Sequence, residues 1–273
     1  MATVFGLAVS VGLGALQINS GLSYVYGIPV AGWIQAAIIA VITAVGLASV
    51  LAGMEKGVKR LSYGNIILAV ALMLFVLMAG ASMDTMRAIV ESAGSYVNQL
   101  PTLAFFNDTF GGGQWSGDWT VFYWAWTVTW APFVGMFVAK ISRGRTIRQF
   151  VVGVLGVPSA FVVVWMGIYG YNAIRVDRAP GTGGSLTDTI VTQGNAEAAL
   201  FQFLQSMPFF GVTALVALIV ITIFFITSID SGALVMDAMA NGHEDEAPRR
   251  QRIFWTLAVG AAVSYTHLRA HET

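Results

Sequence analysis

The sequence contains no cysteine, and charged residues make up only 10% of its 273 positions, where about 25% is usual for soluble domains. The lack of cysteine excludes a disulfide framework and a thiolate metal site. Fourteen basic and fourteen acidic residues give a formal net charge of zero, so there is no basic field of the kind that attracts nucleic acid. Hydrophobic residues account for 56% of the chain and the mean hydropathy is +0.73, which excludes a soluble domain and indicates a membrane protein.

Gaps between charged residues mark the candidate membrane spans, because a charged group at the bilayer centre costs at least ~2.5 kcal/mol. The charge-free start of the chain is long enough for two helices, and a polar, turn-rich stretch from Gln17 to Pro29 divides it. Each window exceeds the roughly 20 residues that cross a bilayer core. Six spans are therefore predicted: residues 2–20 and 30–53, and the intervals Arg60–Asp84, Asp118–Lys140, Arg148–Arg175 and Glu197–Asp230.

A seventh apolar run, Ile253–Tyr265, is too short to be counted as a span. It offers only about 14 residues, or ~21 Å of helix, before charged and polar side chains follow. Residues 263–273 resemble one reading frame of a sequencing adapter, so we expect this tail to be a non-native artefact. We also expect the chain to be an internal piece of a longer protein, because Met1 opens directly into a span with no flanking charge.

Basic residues are distributed asymmetrically between the two sides of the predicted spans. Ten fall on the side at which the even-numbered spans end, whereas Arg87, Arg175 and Arg178 fall on the other, and Arg269 lies in the tail that is expected to be an artefact. The positive-inside rule therefore assigns the first side to the cytoplasm. Its members are Lys56, Lys59, Arg60, Lys140, Arg143, Arg145, Arg148, Arg249, Arg250 and Arg252.

Two connections on the outer side are longer than a turn. Residues 85–118 contain an amphipathic stretch, Met86–Leu100, followed by a glycine-rich run. This stretch is compatible with a helix lying along the outer interface and equally with an ordinary solvated loop. Residues 175–200 form the second connection, which is polar and glycine-rich.

The fourth predicted span is rich in aromatic side chains that share one side of a helix, and we call this set the aromatic face. At 100° per residue its rings fall within about 80° of one another. Helix packing is one explanation, with the first ring anchored at the interface. The other is a cage for a quaternary ammonium group, which is held by cation–π attraction because it has no ordinary hydrogen-bonding capacity. The members are Trp119, Phe122, Trp126, Trp130, Phe133 and Phe137.

Three blocks of sequence resemble the betaine/choline/carnitine transporter family, in the family's order. They are GLGALQINSGL at 12–22, the aromatic run 119–137 with ISRGRTIR at 141–148, and FFITSIDS at 224–231. The resemblance covers about residues 1–262 and implies an all-α polytopic membrane protein, part of a twelve-helix LeuT-like fold with two inverted repeats. It further implies that the six spans are the family's fifth to tenth helices, followed by part of the eleventh.

The resemblance also implies a division of the chain. Residues 1–84 would be the last three helices of the first repeat, and residues 85–118 an outer surface helix and loop. Residues 119–262 would begin the second repeat, and residues 263–273 are the expected artefact.

By the same resemblance, Trp126 and Trp130 line the substrate path, with Phe133 and Phe137 nearer the cytoplasm. Thr127 departs from the family pattern, because members that bind glycine betaine usually have another tryptophan there. A smaller side chain at this position is expected to admit a larger or more polar substrate, such as an ectoine-like or sulfonium solute, unless another ring compensates.

Thr227 and Ser228 place two adjacent hydroxyls one turn after the Phe224 carbonyl. In membrane helices such hydroxyls usually bond to a carbonyl of their own helix, although three neutral oxygens also suit a monovalent cation. The resemblance implies that Phe224, Thr227 and Ser228 bind sodium.

A second sodium site is implied less completely. Thr3 and Phe133 match part of it, but Leu7 stands where another hydroxyl is expected. No predicted span contains the arginine that replaces the ion in sodium-independent exchangers of the family. Asp230 and Asp237, seven residues apart, are expected to be solvated or gate-forming carboxylates near the inner surface rather than proton relays.

The expected function is uptake of a quaternary ammonium or zwitterionic osmolyte (glycine betaine, choline, carnitine or an ectoine-like solute) by sodium symport across the bacterial inner membrane. Na+ is the coupling ion, and no other metal or cofactor is expected. Proton-coupled choline import, sodium-independent exchange and osmosensing without transport remain alternatives. His243 is the only histidine outside the tail, so neither a catalytic triad nor an enzyme is expected. The expected partners are the osmolyte and the lipid bilayer, without nucleic acid, and the resemblance is compatible with a homotrimer.

Overall fold

The computed structural model describes residues 2–52, 59–181, 184–241 and 248–270. Within these ranges it contains helices and no β-strand, so the all-α fold class is confirmed. The chain divides into two compact units, which are described separately. The first comprises the described residues up to Leu74 and from Val176 onward, and the second runs from Phe75 to Arg175.

The helices follow the charge gaps of the sequence. Within the described residues, wide π-helical turns occur at Ser116–Val121 before α5, at Val152–Gly156 between α6 and α7, and at Asp188–Thr192 after α8. The helices are α1 (Ala2–Tyr26), α2 (Gly32–Ala52), α3 (Lys59–Ala79), α4 (Ser82–Ala104), α5 (Phe122–Ile141), α6 (Ile147–Val151), α7 (Val157–Asp177), α8 (Ser185–Thr187), α9 (Ala199–Gln205), α10 (Phe210–Asn241) and α11 (Arg249–Ala270).

Six helical stretches of the described residues are long and apolar enough to cross a membrane. Their number and order match the six spans predicted from the charge gaps, and the chain is a multi-pass membrane protein. The stretches are Thr3–Tyr26, Gly32–Ala52, Lys59–Ala79, Ser116–Ala139, Ile147–Asp177 and Phe210–Ala240.

Four helices, α1, α2, α10 and α11, form the centre of the first unit, and each of them contacts the other three. Glycines permit the close approach of α1 to α10: a Cβ added to Gly14 would lie 2.4 Å from the Phe225 ring, and one added to Gly232 would lie 2.2 Å from Leu7. Small residues serve this purpose in membrane helices, where association depends on packing rather than on the hydrophobic effect.

The first span is longer than predicted. The polar stretch that was expected to end it at residue 20 is helical, and α1 continues to Tyr26. Asn19 is accommodated inside the helix because its side-chain amide forms hydrogen bonds with the backbone after α1. Its Nδ2 donates to the Pro29 carbonyl over 3.1 Å, and its Oδ1 accepts from the Ala31 amide over 3.1 Å. A buried polar side chain with such partners does not interrupt a helix.

The sixth window also folds differently from its prediction. Its first part forms the separate helix α9, and α10 begins only at Phe210, after Phe209 with φ of 57°. At the other end α10 continues past Asp230 to Asn241. Of the two roles expected for Asp230 and Asp237, the solvated one is wrong, since both side chains are buried, and the gate-forming one stays a prediction.

Asp237 is buried because it has a cationic partner on the next helix. Nε of Arg252 on α11 lies 3.5 Å from Oδ2 of Asp237, and the side-chain amide of Gln251 donates to the Asp237 carbonyl. Asp230 lies against α2, where a Cβ on Gly46 would be 3.2 Å from its Oδ1. The hydroxyl of Ser49, also on α2, is the polar neighbour of its carboxylate.

In the second unit, the amphipathic stretch Met86–Leu100 is helical and forms part of α4. The sequence alone was compatible with either a helix or a loop here. Asn172, buried on α7, joins this unit internally. Its Nδ2 donates to the Thr85 hydroxyl over 3.1 Å and to the Ile168 carbonyl over 2.8 Å, and its Oδ1 accepts from the Ala81 amide over 3.3 Å. One side chain thereby fixes the start of α4 to α7.

The last helix, α11, includes the run judged too short to be a span and extends through the tail to Ala270. Among the described residues, α11 is not one of the helices that are long and apolar enough to cross a membrane. Lys56 and His243, which the sequence analysis assigned, lie outside the described residues.

Candidate functional site

The aromatic face runs along nearly the whole fourth span, and its rings contact one another in two groups. In the first group, Trp126 packs on Phe122 with ring centroids 5.6 Å apart, and Tyr123 stacks on Trp119 at 6.0 Å with the planes almost parallel. In the second, Trp130 meets Phe133 edge to face at 5.3 Å. Such offset and edge-to-face arrangements are the favourable ones for aromatic rings.

Phe133 extends the second group toward the cytoplasmic end of α5. Its ring is buried and stacks on Phe137 with centroids 6.5 Å apart. The structure therefore brings together three of the predicted substrate-path residues, Trp130, Phe133 and Phe137, in one run of rings. Sequence periodicity had placed them on one face, and their ring contacts confirm that arrangement.

Trp130 carries an unused hydrogen-bond donor in this run. Its indole Nε1 is buried and has no hydrogen-bond partner within the described residues. A buried indole N–H usually has one, and leaving a donor unsatisfied costs about 1–3 kcal/mol. This donor lies near the middle of the fourth span.

The hydroxyls of α5 are already bonded within the helix. Thr127 Oγ1 donates to the Tyr123 carbonyl and Thr129 Oγ1 to the Trp126 carbonyl, each over 2.7 Å. Thr127 therefore presents mainly its methyl group, on a side chain far smaller than tryptophan. Pro132 lies one turn after Val128 in the same helix and has no amide hydrogen to donate to that carbonyl.

The residues matched to a sodium site form one cluster of oxygen atoms on α10. The hydroxyls of Thr227 and Ser228 both donate to the Phe224 carbonyl over 2.9 Å. This is the intrahelical bonding expected of hydroxyls in a membrane helix, and it also gathers three neutral oxygens at one point. We call Phe224, Thr227 and Ser228 the hydroxyl segment.

A contact with α1 lies next to the hydroxyl segment, and the sequence analysis missed it. Phe225, the residue after Phe224, fills the space over Gly14, since a Cβ there would lie 2.4 Å from its ring. Gly14 belongs to the GLGALQI block, which the sequence analysis identified as a family motif. Nothing in the sequence, however, pairs this glycine with a residue more than two hundred positions later.

The second sodium site lacks an oxygen where Leu7 stands. Leu7 is buried, and its side chain packs over Gly232 on α10, which fills that part of the helix contact with hydrocarbon. Thr3, one turn earlier, is buried on α1. Phe133 belongs to the second unit, whereas Thr3 belongs to the first.

Comparison with known proteins covers nearly the whole chain. The family model described as "BCCT, betaine/carnitine/choline family transporter" matches residues 1–268. An ectoine/glycine betaine/proline transporter of Corynebacterium glutamicum is 49% identical over 262 residues, which are 96% of this chain and 42% of the relative.

Two further relatives carry related names. A glycine betaine transporter of Acinetobacter baylyi is 39% identical over 95% of this chain and 39% of its own length. A glycine betaine/proline/choline transporter of Vibrio parahaemolyticus is 42% identical over 95% of this chain and 46% of its own length. The chain thus spans less than half the length of these relatives, and with a family match over almost all of its residues it belongs to the betaine/carnitine/choline transporter family.

Proposed function

We propose that the chain works as part of a longer secondary transporter that takes up a quaternary ammonium or zwitterionic osmolyte, driven by sodium. The observation that carries this proposal is the run of contacting rings on α5, with the unpartnered indole N–H of Trp130 within it. It joins the two kinds of group that a betaine needs, a π surface and a hydrogen-bond donor.

Each part of a betaine has a counterpart on this helix. The trimethylammonium group has no hydrogen-bond donor, so ring faces are its natural neighbours, at about 0.5–2 kcal/mol per ring. The carboxylate needs a donor, and Trp130 Nε1 is free to supply one. Trp126 and Phe133 would then contact the cationic end, with Phe137 further along the path.

The substrate range follows from Thr127. A threonine with its hydroxyl bonded to the Tyr123 carbonyl leaves more room than a tryptophan would, which favours substrates bulkier than glycine betaine. The relatives' names support this range, since they include ectoine, proline and choline besides glycine betaine. We therefore propose that glycine betaine and ectoine-like solutes share the site.

The hydroxyl segment is proposed to bind the coupling sodium ion. Sodium would be coordinated by the Phe224 carbonyl oxygen and the two hydroxyl oxygens, once both hydroxyl hydrogens turn away from that carbonyl. Neutral oxygens suit a weakly held monovalent ion, which must be released in each cycle. We propose one sodium site and not two. The second site would need a further hydroxyl besides Thr3 and Phe133, and Leu7 stands at that position.

The proposed setting is the inner membrane of a bacterium, with the lipid bilayer as the surrounding partner and a homotrimer as the proposed assembly. Cross-linking of the detergent-solubilised protein would test the trimer. A ladder that stops at three copies is expected, and monomers alone would contradict it.

The proposed function is tested with the full-length transporter that carries this segment, reconstituted into proteoliposomes. Labelled glycine betaine is expected to enter the vesicles, and excess unlabelled ectoine is expected to compete. Binding of betaine to the purified protein with no flux into vesicles would contradict transport and favour an osmosensor. Competition by choline alone would contradict the zwitterionic substrate class.

A further inference from the structure

A cleft of about 410 Å³ lies between α4 and α7 in the second unit, and we call it the α4–α7 cleft. Among the described residues that line it, only Ser92, Tyr96 and Tyr171 carry a side-chain oxygen atom. The rest of the lining is aliphatic side chains, methionine and glycine. Such a lining suits a hydrocarbon ligand and not a zwitterionic osmolyte, which needs several polar partners.

Two glycines on α7 shape the α4–α7 cleft. A Cβ added to Gly167 would lie 2.3 Å from Cγ1 of Ile89 on α4, so the Ile89 side chain already occupies the space over this glycine. Gly170 also lines the cleft, but a Cβ added there would have no heavy atom within 4 Å. Gly170 therefore leaves room for a hydrocarbon group that no described part of the chain supplies.

The length of the cleft matches one leaflet of a bilayer. α7 lies in a stretch that is long and apolar enough to cross a membrane, and the charge asymmetry of the sequence assigns its end at Asp177 to the outside. The lining residues of α7 run from Val163 to Ile174, which is about 16 Å along the helix axis. Half of the hydrocarbon core of a bilayer is about 15 Å. The cleft thus extends from the outer surface to about the bilayer centre.

The rim and the outer end of the cleft both suit a phospholipid. On the rim, Val97 is 68% exposed and Met166 is 65% exposed, so a chain can enter sideways from the bilayer. At the outer end, Arg175 follows Ile174 in the last turn of α7. Arginine near the end of a membrane helix reaches the headgroup level, and its guanidinium binds phosphate well. A phospholipid joins these two chemistries in one molecule.

We propose that the α4–α7 cleft binds one acyl chain of an outer-leaflet phospholipid, which lies over Gly170 with its phosphate at the outer end of the cleft. The chain completes the packing of α4 on α7, beyond the contacts of Asn172 with Thr85 and of Ile89 with Gly167. Packing of this kind holds helices together in a membrane, where the hydrophobic effect does not. The site shares no residue with the aromatic face and does not depend on the proposed transport function.

Photolabelling of the full-length transporter tests the site. The bilayer is phosphatidylethanolamine and phosphatidylglycerol with a small fraction of phosphatidylglycerol that carries a diazirine in one acyl chain, and mass spectrometry maps the labelled residues. Label is expected on Ala93 and Tyr171, which are half-buried in the lining. Gly170→Leu should reduce this label more than tenfold, because leucine fills the space over Gly170. Gly153→Leu is the matched control, since Gly153 lies on the same membrane-crossing stretch, outside the lining, with nothing within 4 Å of an added Cβ.

Val162 reports ordinary contact with the bilayer, because it is 51% exposed on α7 and lies outside the lining. Label on Ala93 and Tyr171 that persists in Gly170→Leu would overturn the proposal and leave only ordinary bilayer contact. Label on Val162 with none on Ala93 or Tyr171 would also overturn it, since another part of the full-length transporter or a second copy would then fill the cleft. If Gly170→Leu does not fold, Ala93→Leu narrows the cleft from α4, and the same loss of label is expected on Tyr171.

Discussion

At the scale of single residues, Trp130 combines a ring face with a buried N–H that has no partner in the described part of the chain. Mutations of Trp130 can distinguish the role of the ring from that of the N–H donor. Phenylalanine keeps a ring and loses the donor, whereas alanine loses both.

We predict that Trp130→Ala and Trp126→Ala each raise the KM for glycine betaine by about 2- to 30-fold, the equivalent of one lost cation–π contact. Trp130→Phe should recover part of the loss at Trp130. Trp124→Ala is the matched control, because Trp124 is 68% exposed and lies on the opposite side of the helix. Uptake kinetics in proteoliposomes measure the effect, and unchanged kinetics in both alanine variants would leave helix packing as the only role of the aromatic face.

Thr127 is expected to set the breadth of the substrate range. Thr127→Trp should reduce uptake of ectoine relative to glycine betaine by about tenfold, because overfilling a packed site costs about 1–3 kcal/mol. Paired uptake assays of the two labelled solutes give the ratio. An unchanged ratio would show that another part of the protein determines the range.

Thr227 and Ser228 donate to the same carbonyl, so either alanine substitution removes one of three oxygens from the hydroxyl segment. The sodium concentration for half-maximal uptake should rise about tenfold in each variant, since a hydrogen bond or contact to a charge contributes about 1.5–3 kcal/mol. Thr222→Ala is the control, because the Thr222 hydroxyl donates to the Leu218 carbonyl of the same helix over 2.7 Å. An equal shift in the control variant would assign the effect to general weakening of α10.

At the scale of helices, the charge gaps of the sequence predicted where spans occur but not where they end. Polar residues mark a helix end only when they are solvated. Asn19 bonds to the backbone of the next loop, and Asp237 pairs with Arg252, so α1 and α10 bury these polar residues and continue past the predicted span ends. These partners are distant in the sequence, and no local pattern identifies them.

The contact between α1 and α10 leads to a prediction about sodium. Gly14→Ala would place a methyl group against Phe225 and shift the neighbouring hydroxyl segment, so the sodium requirement for uptake should rise severalfold. Adding Phe225→Leu to the same protein should restore part of the affinity by removing the clash, as residues in direct contact are energetically coupled.

Gly211→Ala is the control for this experiment, because Gly211 lies on α10, the helix that carries Phe225 and the hydroxyl segment, with nothing within 4 Å of an added Cβ. Sodium titrations of uptake compare the variants. A Gly14→Ala protein with normal sodium affinity would show that the contact does not position the hydroxyl segment.

At the scale of the whole molecule, the sequence was sufficient for the membrane class, the number of spans and the family. Composition and charge spacing are properties of the chain as a whole, and they survive errors in individual helix ends. The aromatic face was also accessible, since periodicity along one helix determines it. The packing of Phe201 against Gly21 and of Phe225 against Gly14 was not accessible, because each contact joins residues that only the fold brings together.

Sodium coupling is the central claim, and ion gradients across proteoliposomes containing the full-length transporter test it most directly. With a tenfold inward sodium gradient and no membrane potential, labelled glycine betaine should accumulate to about tenfold per coupled ion, because a tenfold gradient stores about 1.4 kcal/mol. An inward proton gradient in sodium-free buffer should give no accumulation. Accumulation driven by protons alone, or betaine uptake indifferent to the sodium gradient, would contradict the account.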